Sequence, residues 1–282
     1  MRSTDLRRLG GRSVRCRLRS GPHASTGCAP VRCSCRLRLD RPRPHLLGPA
    51  SGIGFLNLNS DLGEGAGADE AILAQVDSAC VGCGVHAGSA SISLATVSLC
   101  RALDVEVGAH PGYDDRANFG RVEVPMSVDE IEALVAFQVG GLAAIVPVAF
   151  VKPHGALYHR CQTDRGAADA AARVAKRHGA GLIGQPGFEI IAAAERAGIP
   201  AYREGFADRL MLPDGSLAPR GQPGAMLNRE RAVEQALLLA RSGGYDTICI
   251  HGDAPGASLV AVAVRSAFES AGIVTRALAG SR

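Results

Sequence analysis

The sequence predicts an α/β protein built on one parallel sheet, either closed into a barrel or open and doubly wound. Two observations lead to this fold class. Short β-type segments alternate with helical segments along most of the chain, and reactive side chains recur where the β-type segments end. Alternation of this kind favours a parallel sheet, because each helix returns the chain to the edge where the next strand begins.

Eight segments have the composition of strands, and longer segments between them have the apolar spacing of helices. The predicted strands are 55–59, 79–85, 105–109, 149–152, 181–184, 201–204, 247–250 and 273–277. The predicted helices are 92–103, 128–146, 167–178, 188–197, 230–241 and 257–271. Ser127, followed by Glu130 three residues later, has the pattern of a capping box. Gly179, Gly198 and Gly272 stand where helices commonly end.

The composition indicates a folded protein with a basic extension. Hydrophobic residues make up 46% of the 282 positions, enough for a large core, and no apolar run is long enough to cross a bilayer. Nine cysteines are too few for a disulfide scaffold. Residues 1–52 hold 12 Arg and two Asp, whereas the remainder holds 19 basic and 25 acidic residues. The net charge of +4 therefore comes from the extension, and we expect the body to bind neither nucleic acid nor membrane.

A domain boundary is predicted after residue 52. Residues 1–52 are rich in Arg, Pro, Ser and Gly and lack the apolar segment of a secretory signal. This composition fits a disordered extension or a start assigned too far upstream, and also an organelle transit peptide or an RNA-binding arm. We favour the first two, with residues 53–282 forming one cytoplasmic domain.

Four histidines lie at or just after the ends of four different predicted strands: His86, His110, His154 and His251. Similar positions hold other reactive residues, which are Asp61, Glu64, Lys152, Asp208, Arg209 and Asp253. In a parallel α/β barrel all strand ends open on one face, where the following loops build the active site. A single histidine at a strand end is commonly structural, but four from separate strands indicate a functional cleft.

Asp61 and Glu64 follow the first strand three residues apart, with a glycine between them. Carboxyl groups at a strand end, partly desolvated and held by the backbone, can have the shifted pKa values that proton transfer requires. The alternative interpretation is a polar turn in which Asp61 caps the next helix.

Lys152 is one of only two lysines, the other being Lys176, against 29 arginines. Because the chain uses arginine for most of its positive charges, a lysine at a strand end indicates a need for a compact ammonium group. Such a group would hold a carboxylate or phosphoryl oxygen, or stabilise an oxyanion. Arg209 could bind a carboxylate through two parallel hydrogen bonds.

Familiar nucleotide and serine-hydrolase motifs are missing. Neither lysine follows a glycine, so there is no P-loop, and Gly63, Gly65 and Gly67 lack dinucleotide-binding spacing. No Gly-x-Ser-x-Gly elbow is present. Cys80 and Cys83 have the spacing of a redox or zinc pair, but they lie in a β-type segment with no second pair, so we interpret them as structural.

Eight blocks of sequence occur in order along the body of the chain. They are LNSDLGEG (58–65), CGVHAG (83–88), GAHPGY (108–113), FGR (119–121), VKPHGALY (151–158), FADR (206–209), DGSLAPR (214–220) and CIHGD (249–253). Together they resemble the LamB/YcsF family, whose characterised members are A subunits of bacterial 5-oxoprolinase. The blocks span nearly all of the body, so the resemblance is specific.

The resemblance implies a single seven-stranded β/α barrel of the glycoside hydrolase/deacetylase type. It also implies ATP-dependent opening of the lactam of 5-oxo-L-proline to L-glutamate, with B and C partner subunits. ATP is then the expected cofactor, and a divalent metal ion with unassigned ligands is a further expectation. Catalysis is expected from Asp61, Glu64, His86, His110, Lys152, His154 and His251. Contacts to substrate or phosphate are expected from Asn59, Arg121, Asp208, Arg209 and Asp253.

The chain also departs from the family pattern. Asn57 stands where the family usually has Asp, Cys80 where it usually has Asn, and Ser89 begins a Ser-Ala pair in place of Asp-Pro. The segment 242–246 is short. Because a lost carboxylate would weaken a metal or proton site, a diverged specificity and an inactive copy both stay open. Two other functions also stay open. One is a metal-dependent, deacetylase-like hydrolase without ATP, and the other is a non-catalytic subunit that binds a small carboxylate.

Overall fold

The computed structural model describes residues 55–279. The predictions made for residues 1–52 lie outside the described residues. Within the described range, no helix is both long and apolar enough to cross a membrane.

Seven parallel strands form a closed barrel in chain order, with the last strand paired to the first. They are β1 (Asn57–Leu62), β2 (Ser78–Gly82), β3 (Glu106–His110), β4 (Phe150–Val151), β5 (Gly181–Gly184), β6 (Ala201–Phe206) and β7 (Thr247–His251). The closed, seven-stranded α/β barrel implied by the family resemblance is therefore confirmed. The open alternative is wrong.

The predicted eighth strand, 273–277, is wrong. Because β7 pairs along its length with β1, the barrel is closed before this segment begins. What remains of the expected strand is one isolated bridge between Leu56 and Thr275.

Eight α-helices surround the barrel in the described part of the chain. They are α1 (Asp69–Leu73), α2 (Ala90–Leu103), α3 (Val128–Ala143), α4 (Gly155–Thr163), α5 (Arg165–Arg177), α6 (Glu189–Ala197), α7 (Arg229–Ser242) and α8 (Ala257–Ser270). The sequence did not predict α1 and α4, because α1 is only five residues long and α4 begins at a glycine. The capping box at Ser127 is present, and Gly198 ends α6 in the left-handed conformation.

The main apolar core lies between the outer face of the barrel and the helices, and it includes Leu58 and Leu62 of β1 and Ile248 and Ile250 of β7. Alternate side chains point into the barrel. The inward residues of β1 are polar and buried: Asn57, Asn59 and Asp61. At the lower end, Asn57 Nδ2 donates to Ser78 Oγ at 2.8 Å, and Thr247 Oγ1 donates to Asn57 Oδ1 at 2.7 Å. These bonds satisfy polar groups that have no access to water.

An aromatic ring fills part of the barrel interior where the neighbouring strand has no side chain. A Cβ atom at Gly108 would lie 1.9 Å from the ring of Phe150, which is fully buried. Gly108 therefore makes room for Phe150, and the barrel has a packed interior beneath its mouth.

Candidate active site

The strand ends and the loops that follow them bring the predicted reactive residues together at one end of the barrel. The end of β1 provides Asp61 and the loop after it Glu64. The loop after β2 provides His86, the end of β3 provides His110, and the end of β7 provides His251. Lys152 and His154 follow the short strand β4. These seven side chains form one contact network, and each of the seven residues is at most 8% exposed.

The ammonium group of Lys152 is the centre of an ion cluster inside the mouth. Its Nζ lies 2.8 Å from Asp61 Oδ1, 2.8 Å from Glu204 Oε1 and 3.1 Å from Cys249 Sγ. Burial alone lowers the pKa of Lys152, but the surrounding groups, Asp61 first, raise it well above its usual value. The ammonium group is therefore enclosed by two hydrogen-bond acceptors and a second carboxylate, so an anion could bind Lys152 only by displacing one of these partners.

Asp61 stays ionised although it is buried. Burial raises the pKa of its carboxyl group, but His110, Lys152 and His251 together bring that pKa far below the usual value. Its second oxygen, Oδ2, lies 3.5 Å from His110 Nε2 and 3.9 Å from His251 Nε2. A carboxylate thus stands between a fixed cation and two imidazoles.

The rings of His110 and His154 meet edge-on, and their hydrogen bonds place the ring hydrogens in an unusual way. His110 Nδ1 lies 2.7 Å from the carbonyl oxygen of Lys152, and His154 Nε2 lies 2.8 Å from that of Phe119. Because a carbonyl oxygen only accepts hydrogen bonds, both nitrogens carry hydrogen. In neutral rings the opposite nitrogens carry lone pairs, yet His110 Nε2 and His154 Nδ1 are 2.9 Å apart. A proton or a cation is needed to bring these two lone pairs together.

Glu64 completes this group. Its Oε1 lies 3.0 Å from His86 Nε2 and 3.3 Å from His154 Nδ1. Burial, followed by the nearby Asp61 carboxylate, raises the pKa of Glu64 well above its usual value. Burial also lowers the pKa of His86 to about 3 and of His110 to about 4. Burial therefore favours neutral imidazoles beside a carboxyl group that readily takes a proton.

The same residues fit a divalent metal ion. Ligand atoms of Glu64, His86 and His154 lie within 4.8 Å of one another, and nitrogen with carboxylate oxygen is a donor set that zinc accepts. His154 donates its other ring N–H to a backbone carbonyl, which is the support usually found behind a metal-bound histidine. The paired lone pairs of His110 and His154 are a further observation in favour of a cation.

A cavity of about 430 Å³ opens above this network. The reactive residues that line it include Asp61, His110, Lys152, His154, Arg209 and His251. Glu64 and His86 do not line it and lie behind His154. The apolar part of its lining includes Phe206, Leu217 and Pro219. A small ligand in this cavity would contact Asp61, His110 and His154 directly.

Three arginines give one side of the cavity a surplus of positive charge. Arg121 is ion-paired to Asp253, and Arg220 Nη1 lies 3.6 Å from the same carboxylate. Arg209 is 4% exposed, and its Nε has no hydrogen-bond partner among the described residues. Burial and the nearby Arg220 lower the pKa of Arg209 to about 10. An anion that enters here would contact Arg121 and Arg220, which share the Asp253 carboxylate. It would also lie near Arg209, whose Nε–H has no partner in the described part of the chain.

Asn59 and Asp208 do not line this cavity, and their contact with substrate or phosphate stays a prediction. Asn59 is fully buried, and its Nδ2 lies 2.6 Å from Thr247 Oγ1 and 3.3 Å from Glu204 Oε1. Asp208 Oδ1 lies 2.9 Å from His251 Nδ1. In the structure, both hold other site residues in position.

Glu204 is a site residue that was not predicted from the sequence, and it is fully buried beside Lys152. Tyr158 donates a hydrogen bond of 3.1 Å to its other oxygen. The sequence did contain a signal for Glu204, because it is a carboxylate at the end of a predicted strand and at a position that points into the barrel. Arg220 and His159, which also line the cavity, were missed as site residues because they lie far from any strand end.

Comparison with known proteins identifies the family. The family model described as "LamB/YcsF family" matches residues 56–282. The chain belongs to the LamB/YcsF family. Among its LamB/YcsF relatives, the A subunit of 5-oxoprolinase from Streptomyces griseus is 40% identical over 250 residues, covering 80% of this chain and all of that protein. The protein of the same name from Chloroflexus aggregans is 43% identical over 246 residues, covering 78% and 98%.

Solved structures agree with the LamB/YcsF assignment. The crystal structure of the lactam utilization protein from Thermus thermophilus matches with a TM-score of 0.73 and 39% identity, covering 79% of this chain and all of that one. An uncharacterized protein of Agrobacterium tumefaciens matches with a TM-score of 0.52 at 14% identity, covering 80% and 90%, which shows only that the fold is shared.

Two of the departures from the LamB/YcsF pattern leave the mouth of the barrel intact. Asn57 lies at the lower end of the barrel, bonded to Ser78 and Thr247. Ser89 is the N-cap of α2 and accepts a hydrogen bond from Ile92 N, a task that serine and aspartate perform equally well.

Cys80 is the departure nearest to the ion cluster. Its Sγ lies 3.4 Å from Asn59 Oδ1. Burial raises the pKa of its thiol well above the usual value, so Cys80 is a neutral group. Both Cys80 and Cys83 are free cysteines, in agreement with a structural interpretation.

Proposed function

We propose that this chain is the A subunit of an ATP-dependent 5-oxoprolinase, which opens the lactam of 5-oxo-L-proline to L-glutamate together with B and C subunits. The observation that carries the proposal is the network of Asp61, Lys152, His110 and His154 beneath a small, arginine-rimmed cavity. The name shared by relatives that match along their full length supports the choice of substrate.

The reaction needs activation because a lactam is an unactivated amide. Attack of the lactam oxygen on the terminal phosphorus of ATP forms an O–P bond and releases ADP. Water then adds to the ring carbon, and the C–N bond breaks as the nitrogen gains a proton, which leaves an acyl phosphate. A second water hydrolyses the acyl phosphate to the glutamate carboxylate and free phosphate. The protein must supply a base for water, cations for the phosphoryl group and the substrate carboxylate, and an acid for the nitrogen.

The proposed roles follow from the contacts. Asp61 and the neutral imidazoles of His110 and His154 reach the cavity, so they take the proton from water. Glu64, whose pKa is raised by burial, exchanges protons with the site through His154. Lys152 acts mainly by keeping Asp61 ionised.

The outer residues bind anions in this scheme. Arg209, with an unpartnered Nε, binds an anion together with Arg121 and Arg220. Asp253 holds Arg121 and Arg220 in place. His251 faces Asp61 and is oriented by Asp208.

A metal-dependent amide hydrolase is the second candidate function. The observation in its favour is the close approach of His110 Nε2 and His154 Nδ1, because a nearby cation would offset the repulsion between their lone pairs. Glu64, His86 and His154 would hold the ion, and it would supply a Lewis acid and lower the pKa of water. The surrounding residues would keep their positions: Asp61 ionised at the mouth and Arg209 beside the substrate.

The deciding experiment measures glutamate release from 5-oxoproline by the full chain, with and without ATP, alone and mixed with the B and C subunits. We expect release only in the complete mixture with ATP, and at least a roughly 100-fold loss for His154→Gln. His178→Gln is the matched control, because His178 lies on the surface after α5.

Each other outcome decides against the proposal. Metal-dependent amide hydrolysis without ATP, lost in a chelator and restored by zinc, would favour the hydrolase. Binding of 5-oxoproline without turnover in any mixture would favour a carboxylate-binding subunit.

A further inference from the structure

A second cavity, of about 790 Å³, lies beside the first. It is bordered by α4, by the segment 121–126 and by the loop between β5 and α6. Arg121, Ala156 and His159 line both cavities, so the two spaces are neighbours across a shared wall. Its volume is within the range of sites that hold small organic ligands.

Gln162 is the unusual residue of this second cavity. It lies on α4, is 4% exposed, and neither its Nε2 nor its Oε1 has a hydrogen-bond partner among the described residues. By contrast, the amide of the buried Gln138 donates to Gly112 O at 2.8 Å and accepts from Gly112 N at 3.0 Å. Burying an amide without partners is unfavourable, so Gln162 has the features of a group kept for a ligand.

The lining of the cavity restricts what that ligand is. Pro125, Met126 and Phe188 provide apolar surface, and Gln162 provides one donor and one acceptor side by side. A glutamine amide matches the N6 donor and N7 acceptor of adenine with two hydrogen bonds. A purine ring on apolar side chains with its edge at Gln162 would satisfy both atoms.

The charges between the two cavities fit the rest of a nucleotide. Arg121 stands on the shared wall, and Arg209 and Arg220 lie on the side of the first cavity. Asp253 pairs with Arg121 and Arg220 together, which leaves a surplus of positive charge for phosphate oxygens.

We propose that the second cavity binds the adenine ring of ATP, with Gln162 recognising its N6 and N7 edge. The phosphates then extend past Arg121 toward the mouth cavity, where the lactam would be bound. This inference rests on the proposed ATP-dependent function and gives the nucleotide a place on this chain, which has no P-loop.

The test is calorimetric titration of the full chain with ATP and with ITP, whose purine has an acceptor in place of the N6 donor. The wild-type chain should prefer ATP by about tenfold, and Gln162→Leu should lose about tenfold in ATP affinity and most of that preference. Because the variant removes an unpaired buried amide, its melting temperature should equal or exceed that of the wild type. Gln75→Leu, a half-buried site at the opposite end of the barrel, is the control.

The outcomes separate this inference from the proposed function. Equal ATP and ITP affinities, or unchanged ATP binding by Gln162→Leu, would overturn it. So would a variant that loses affinity for the B and C subunits but not for ATP, since the cavity would then be a docking groove. ATP-dependent glutamate release by the mixture without ATP binding here would overturn this site and leave the proposed function standing. Selective ATP binding without such release would support this site and contradict the proposed function.

Discussion

Replacing Lys152 by methionine tests the ion cluster at the barrel mouth. The change removes a cation that lies 2.8 Å from each of two carboxylates, Asp61 and Glu204, and leaves negative charge buried without a partner. Breaking a buried ion pair in this way costs about 3–5 kcal/mol. With a urea m-value of about 3 kcal/mol/M for a domain of this size, the midpoint of unfolding should fall by about 1–1.7 M.

The chain itself provides the controls for this prediction. Lys176→Met alters the only other lysine, which lies on the surface, and should change the free energy of unfolding by less than about 0.5 kcal/mol. Adding Glu204→Gln to Lys152→Met removes one unpaired charge and keeps an acceptor for Tyr158, so part of the lost stability should return.

Far-ultraviolet circular dichroism suits the unfolding measurement, since the chain has no tryptophan. Equal midpoints for Lys152→Met and Lys176→Met would refute the reasoning. So would a double variant less stable than Lys152→Met alone, because Glu204 would then be stabilising the fold independently of the ammonium group.

Three further predictions concern stability at pH 7 unless stated. Gly120→Ala should lower the free energy of unfolding by about 2–3 kcal/mol, because Gly120 has a φ of +66° and a Cβ there would press on an imidazole. Gly179 has a φ of +64° but lies in open space, so Gly179→Ala should lower the free energy of unfolding by only about 1 kcal/mol. Ser127→Ala should lose about 1 kcal/mol with its capping box, and a loss below about 0.3 kcal/mol in urea titration would contradict this. Burial raises the pKa of Asp246, but hydrogen bonds from Arg203 bring it below its usual value. A carboxyl group with a lowered folded-state pKa stabilises above the unfolded pKa of about 3.9 and loses this effect as the pH falls. The destabilisation by Asp246→Asn should therefore shrink from pH 7 to pH 3, and a constant difference would contradict the pairing.

Much of the active end of the barrel could be predicted because strand ends are visible in the sequence. His86, His110 and His154 each follow a short β-type segment, and parallel strands bring such positions to one face. The family resemblance added the number of strands, which periodicity alone left at seven or eight.

Other features depended on distances that no local pattern contains. Glu204 and Lys152 are 52 positions apart in the chain and meet only because β4 and β6 face the same interior. The sequence predicted that Lys152 holds an anion, because its three partners in the folded protein are not visible in the sequence. Gln162 lies on a helix that the sequence did not predict, and nothing in its surroundings in the chain indicates an unpaired amide.

The pairing of β1 with β7 has a consequence for how the protein is made. Asn57 and Thr247, joined across this seam, are separated by 190 positions, so the ring of strands stays open until almost the whole chain has left the ribosome. Contacts between such distant segments make folding slow, because the chain loses the entropy of closing a long loop before these contacts form and stabilise it. The site takes Asp61 from the first strand and His251 from the last. A nascent or C-terminally shortened chain that lacks β7 would therefore expose two unpaired strand edges and carry only part of the site, which makes it a target for chaperones rather than a partly active enzyme.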